Sequence, residues 1–189
     1  MAQSGPIPKI TYADYLVSEA LSPVKNEYLR GEIYAMAGGT PDHARLSAAL
    51  ISKLSNAMIG RLCNVYSSDL RVRIVETDLA TYPDITVVCG KFESAPDDPN
   101  ATINPILLIE VLSDSTEAYD RGAKAAHYRH ISSLREYALV WQKEQKIEIF
   151  RRNAHQRWEL FEYGPGEIAE FASVDCKVHV SEVYHDPLA

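Results

Sequence analysis

Apolar and polar positions alternate in two rhythms along the chain. A four-residue rhythm opens it. Residues Thr11 to Leu21 read as a first helix, with Thr11 as N-cap and Asp14 at the capping-box position three residues later. Ser22-Pro23 ends it. NEYLRGEIYAM then reads as a hairpin turning near Arg30-Gly31, and Gly38-Gly39 breaks the pattern. The clearest helix follows. Thr40 is its cap, Pro41 suits the first helical position, and Asp42 favours the positive end of the dipole. Leu50, Leu54 and Met58 recur at spacing four, and Gly60 is the stop, so a helix from about Pro41 to Ile59 should press one face onto a sheet.

The rhythm then shortens to two. Leu70, Val72 and Ile74 alternate with Arg71 and Arg73, the pattern of a half-buried strand. ITVV after Pro83-Asp84 is a short apolar run, KFESAPDDPNATIN reads as a long polar loop, and PILLIEVL as a central strand. A helix is expected from about Glu117 to Ile131, capped by Ser115 or Thr116. REYALVW is the next strand, KIEIFRR and RWELFEY a meander joined by Asn153-Ala154, and VDCKVHV a last short strand. This order predicts one α/β domain over residues 1–189, a mixed central sheet flanked by helices. Its core is expected at about 40–145, with an N-terminal helix and hairpin over 10–37 and a C-terminal meander over 146–184.

Composition narrows the class. Of 189 residues, 46% are hydrophobic and 24% charged, as in an ordinary globular protein. No run of about 18 apolar residues marks a membrane span, and the N-terminal stretch has no signal-peptide pattern. Against 19 Lys and Arg stand 26 Asp and Glu, a net charge of −7, which argues against coating nucleic acid by bulk positive charge but leaves room for a local basic cleft. Cys63, Cys89 and Cys176 are odd in number and far apart with no CxxC pair, so three reduced thiols in a cytoplasmic protein are expected.

Glu110 breaks the apolar run ILLIEVL. An ionised carboxylate there is costly unless it is paired, for example with a core arginine such as Arg71 or Arg73, or binds a metal. Asp84 opens another apolar strand; alone it is a turn residue, but two acids at the ends of adjacent strands suit a hard divalent cation. Lys124 lies fourteen residues beyond Glu110, sharing a helix face with Asp120 and Tyr128 at spacing four. Alone, Asp120 and Lys124 are an exposed helix pair. Tyr119, Tyr128 and Tyr137 read as packing residues, Trp141 and Trp158 as core or sheet-face residues, and Asp97-Asp98 as part of a solvated connection.

YPDITVV followed by NPILLIEVLSDSTEAYDRGAKAAHYR resembles the PD-(D/E)XK, restriction-endonuclease-like superfamily, and within it the Uma-type restriction-endonuclease family common in bacteria. The likeness extends to NEYLRGEIYAMAGG, PDHARLSAAL and REYALVW. It implies a Mg²⁺-dependent (or Mn²⁺-dependent) nuclease acting on DNA, with Asp84, Glu110 and the backbone carbonyl of Val111 as metal ligands. The superfamily lysine two residues after the acid is replaced by Leu112, and the resemblance hands its role to Lys124 on the neighbouring helix. Glu27 matches an additional N-terminal acid and His43 a residue near phosphate or water, although a hairpin surface charge and a helix-end histidine explain them equally. Arg71 and Arg73 could line the phosphate path. The alternative is a catalytically inactive nuclease fold that serves as a binding or interaction module. The apolar residues of the 146–163 meander, Ile147, Ile149, Phe150, Trp158, Leu160 and Phe161, further suggest a homodimer.

Overall fold

The structure is a computed structural model and describes residues 9–36 and 38–188. Helix α1 spans Tyr12–Leu21. Thr11 accepts the Asp14 N–H at 3.1 Å and donates its hydroxyl to the Asp14 carboxylate at 2.6 Å, a reciprocal lock on the first turn. Strands β1 (Asn26–Leu29) and β2 (Glu32–Ala35) form the expected hairpin. Helix α2 runs over Pro41–Ala57 from the Thr40 cap and buries Leu46, Leu50 and Leu54. After it come β3 (Cys63–Ser67), β4 (Arg71–Ile74), β5 (Leu79–Thr81) and β6 (Ile85–Cys89).

The stretch expected to be a polar loop contains a short antiparallel pair, β7 (Ser94–Ala95) and β8 (Asp98–Thr102). Asp98 is buried rather than solvated, because Arg71 reaches it at 2.5 Å and the Tyr12 hydroxyl donates to it at 2.8 Å. Partners 27 and 86 residues away neutralise an acid that composition alone assigns to solvent. Strand β9 (Leu107–Leu112) is followed by one continuous helix, α3: α-helical Glu117–Tyr119, a π turn over Asp120–Lys124 and α-helical Ala125–Tyr128. It ends three residues before Ile131, and Thr116 makes no side-chain cap bond. Strands β10 (Glu136–Trp141), β11 (Ile147–Arg152) and β12 (Trp158–Tyr163) complete the meander. Then come β13 (Ile168–Phe171), β14 (Cys176–His179) and the short α4 (Val180–Tyr184).

The architecture is the expected mixed α/β one, with sheets flanked by helices, and the strands divide between two six-stranded sheets. The first has the order β2-β1-β5-β4-β8-β7 and the second β12-β11-β10-β9-β6-β3, with β13-β14 as a separate pair. Strand β9 lies inside the second sheet, antiparallel to β6 and parallel to β10. Successive side chains of a strand face opposite ways. Leu107, Ile109 and Val111 therefore pack with the leucines of α2, while Leu108 and Leu112 pack with Tyr128, Tyr137 and Leu139 beneath α3.

One sequence reading changes here. Cys63 and Cys89 are joined in a disulfide rather than reduced, leaving Cys176 as a buried free thiol. The cause is register: β3 and β6 pair antiparallel with these two residues directly opposite, their Cα atoms 4.0 Å apart, which a separation of 26 residues does not announce. Along the meander, Ile147 and Ile149 are fully buried in the chain's own core, and Leu160 is its only exposed large apolar residue among those described. Phe150, Trp158 and Phe161 are half-buried. Among the described residues no helix is long and apolar enough to cross a membrane.

Candidate active site

Alternation along β9 sends Glu110 to the same side as Leu108 and Leu112, beneath α3. The residue is 4% exposed. A carboxylate so placed needs partners, and it has two on one oxygen: Lys124 Nζ lies 2.9 Å from Oε1, and the Tyr128 hydroxyl donates to the same atom at 2.7 Å. Neither Arg71 nor Arg73 is involved.

Both partners come from α3, together with Asp120. In an α-helix, side chains at spacing four drift steadily around the axis. The wider π turn over Asp120–Lys124 offsets that drift, so Asp120, Lys124 and Tyr128 all point inward; π turns recur at functional sites. Lys124 is itself 4% exposed and touches three carboxylates: Glu110, Glu27 at 3.1 Å and Asp120 at 3.5 Å. Burial disfavours its ammonium, but these three acids outweigh burial and hold its pKa well above the usual lysine range. Burial pushes the Glu110 carboxyl up to about 8 against the pull of Lys124, and the charges of Asp120 and Asp84 add to the rise. Burial raises Asp120 as well.

Asp84 stands just before β6, beyond the last β6–β9 pair, Ile85 with Ile109. Its Oδ2 accepts the Val111 N–H at 2.7 Å and lies 3.0 Å from His43 Nε2. His43 comes from the first turn of α2, where its own N–H is held by Thr40 at 3.1 Å, and its hydrogen bond to Asp84 raises its pKa. A Cβ at Gly39 would fall 2.8 Å from the His43 ring, so the glycine makes room for this contact. Thr40 also donates to Gln142 at 2.7 Å, and Gln142 donates to the Leu112 carbonyl at 2.7 Å. This clamp ties the start of α2 to the end of β9.

Glu27, Asp84, Glu110, Asp120, His43 and Lys124 all line one cleft of about 620 Å³. Tyr34, Met36, Ser113, Ser115, Thr116 and Tyr119 also line it. Four acids face one lysine and one histidine there. No three of the described His, Cys, Asp and Glu side chains form a ready-made metal cage.

The family model described as "Putative restriction endonuclease", Uma2, matches residues 12–175. The chain belongs to the Uma2 family. Two relatives from Synechocystis sp. extend the likeness over nearly the whole length. "Uncharacterized protein slr1290" is 36% identical over 184 residues, covering 96% of this chain and 94% of that one. "Uncharacterized protein sll1609" is 34% identical over 161 residues, covering 85% and 90%. A crystal structure described as "a putative nuclease belonging to DUF820" from Anabaena variabilis superposes with a TM-score of 0.73, covering 91% of this chain and 96% of that one; at 18% identity the match speaks for the fold.

In this Uma2 chain the residues singled out by sequence divide cleanly. Asp84, Glu110, Lys124, Val111, Glu27 and His43 converge on the cleft. Glu27 is buried, not a surface charge of the hairpin, and its carboxylate also accepts a hydrogen bond from Thr81. Arg71 and Arg73 stand apart. Arg73 is buried beside Asp78 at 2.8 Å and Asp97 at 3.6 Å, and Arg71 is held by Asp98, so both are structural cations of the first sheet rather than a solvated face or a phosphate path. Sequence reasoning undervalued Tyr128 as packing and Asp120 as half of an exposed pair. The signal was the spacing 120, 124, 128, which places all three on the face that meets Glu110.

Proposed function

We propose that this protein is a metal-dependent nuclease of the PD-(D/E)XK kind that hydrolyses phosphodiester bonds of DNA. The observation that carries the reading is Lys124: a buried lysine from a helix, bonded to the strand acid Glu110, in the same cleft as Asp84. It supports the transfer of the superfamily lysine to α3.

The donor set suits a Mg²⁺ or Mn²⁺ ion. Magnesium binds through one or two carboxylates and keeps several waters, so a full protein cage is not required. The protein contacts of Asp84 fall on Oδ2, and the Lys124 and Tyr128 contacts of Glu110 fall on Oε1. The N–H and C=O of a strand residue face the same side, so the Val111 carbonyl turns toward Asp84 as its N–H does. Asp84, Glu110 and that carbonyl would hold the ion. When bound, the metal polarises the phosphate and acidifies a water.

The chain's own residues supply the rest. Lys124 stays protonated because three acids surround it. It therefore serves as fixed positive charge beside the phosphate and as a donor that orients the attacking water, not as a base. Such preorganised charge stabilises the transition state because it need not reorganise as the reaction proceeds. Tyr128 and Asp120 position Lys124 and Glu110, and His43 steadies Asp84.

The test is incubation of plasmid, linear, branched and single-stranded DNA with Mg²⁺ or Mn²⁺. Wild type is expected to cut at least one substrate, and Asp84→Ala none. A wild-type protein that binds DNA but cuts nothing would sink the nuclease reading and leave a binding module.

A further inference from the structure

Most of the 19 lysines and arginines of this acidic protein contact a carboxylate. Among the described residues, Lys9, Arg30, Arg129, Arg135, Arg152 and Arg157 have none within 4.0 Å. Lys91 is likewise without one.

These six are not scattered. Arg152 donates to the carbonyl of Arg129 at 3.0 Å and of Ser132 at 3.3 Å, and its backbone N–H donates to the Arg135 carbonyl at 2.8 Å. Its guanidinium lies 5.2 Å from the ring of Trp158, the residue after Arg157. On the other side, Lys9 lies against Gly31 at the tip of the β1–β2 hairpin, next to Arg30. The hairpin meets the helix: Leu29, beside Arg30, packs against the cluster that holds Ala125 and Tyr128. Arg30, Arg129, Arg135 and Arg157 are exposed.

Arg30 carries a second signal. It sits at φ 51°, followed by Gly31 at φ 92°. A two-residue hairpin of this hand prefers Asn, Asp or Gly at both places. A long cationic side chain there costs backbone strain, and strain of this kind concentrates at functional positions.

The belt adjoins the cleft. Arg129 lies five residues beyond Lys124, about 7.5 Å along a helix at about 1.5 Å per residue. Arg30 follows Leu29, which lines the cleft, while Arg135 precedes Glu136, which pairs with Leu107 at the opposite end of β9 from Val111. Phosphates along one strand of a duplex are spaced about 3.4 Å along the axis. A belt of that extent would meet several phosphates of one strand. A protein with net charge −7 repels a polyanion overall and needs such a local patch to hold it.

We propose that Lys9, Arg30, Arg129, Arg135, Arg152 and Arg157 form a backbone grip for duplex DNA flanking the cleft. The proposal rests on the nuclease reading for the identity of the polyanion. Its test is binding without cleavage. Fluorescence anisotropy with a labelled duplex spanning about two helical turns is measured in EDTA across a salt series. The belt variant combines Arg30→Asn, Arg129→Ser, Arg135→Ser and Arg157→Ser. A control carrying Lys25→Ser, Lys53→Ser, Lys143→Ser and Lys177→Ser changes the net charge equally but elsewhere. The belt variant should bind about tenfold more weakly or worse, with the slope of log K against log salt reduced by about 0.9 for each arginine that touched a phosphate. The control should stay near wild type. Equal losses in both variants, or none in the belt variant, would overturn the grip, as would wild type failing to bind any duplex. Tighter binding of an RNA duplex of equal length would overturn the DNA assignment. Binding through the belt without any cutting in the Mg²⁺ assay would instead fault the nuclease reading and leave the grip standing.

Discussion

At the scale of single residues, Lys124 decides most. Its burial makes it unlike the exposed helix pair that the spacing of Asp120 and Lys124 suggests. Lys124→Ala would leave Glu27, Glu110 and Asp120 crowded in a buried space without their shared cation. Breaking a buried ion pair from one side costs about 3–5 kcal/mol. The expected outcome is a loss of that size in urea unfolding, together with a cleavage rate lower by about 10²-fold or more. A variant that unfolds like wild type would mean that the lysine is not buried among the acids. What was legible at this scale was the identity of the residues: an acid in an apolar strand, an acid after proline and a lysine downstream. Their partners were not legible. Glu27, His43 and Asp84 reach the site from separate elements, and no local pattern records which side chain a folded chain will bring to which. Arg71 of β4 shows the same limit, because its neutralising acid, Asp98, lies on β8.

The elements were read more fully than their assembly. The caps of α1 and α2, the Arg30-Gly31 hairpin and the interior position of β9 follow from local chemistry, and the structure has them. The π turn does not follow, because hydrophobic spacing reports an average period and one widened turn barely alters it. Neither does the division into two sheets, which depends on pairings such as β1 with β5 across some 50 residues. Within the π turn, Gly122 is exposed, and a Cβ there would meet nothing within 4 Å. A helical glycine in open space costs about 0.5–1 kcal/mol relative to alanine. Gly122→Ala should therefore raise the unfolding free energy by that amount, read from the urea midpoint at unchanged m-value. A fall would show that the turn needs the glycine for its backbone shape.

For the molecule as a whole, the disulfide between Cys63 and Cys89 joins the edge strand β3 to the strand that Asp84 introduces. It closes a loop with a sequence separation of 26. A link of that length stabilises by about 3–4 kcal/mol, chiefly by restricting the unfolded chain. Adding reductant, or replacing Cys63 with Ser, should lower the unfolding free energy by roughly that amount, while Cys176 stays unlabelled in the folded state because it is buried. Equal urea midpoints with and without reductant would mean the two thiols are not bonded in solution.

The parallel pairing of β9 with β10 has a consequence for the order in which the chain is made. By the time Lys124 has been synthesised, every residue that converges on the cleft exists. The strand that flanks Glu110 on its second side does not, and neither does Gln142, whose hydrogen bonds tie the start of α2 to the end of β9. Domains fold as units as they leave the ribosome, so the cleft is assembled only in chains translated past this point. A truncated product ending before β10 carries the whole motif and lacks the site.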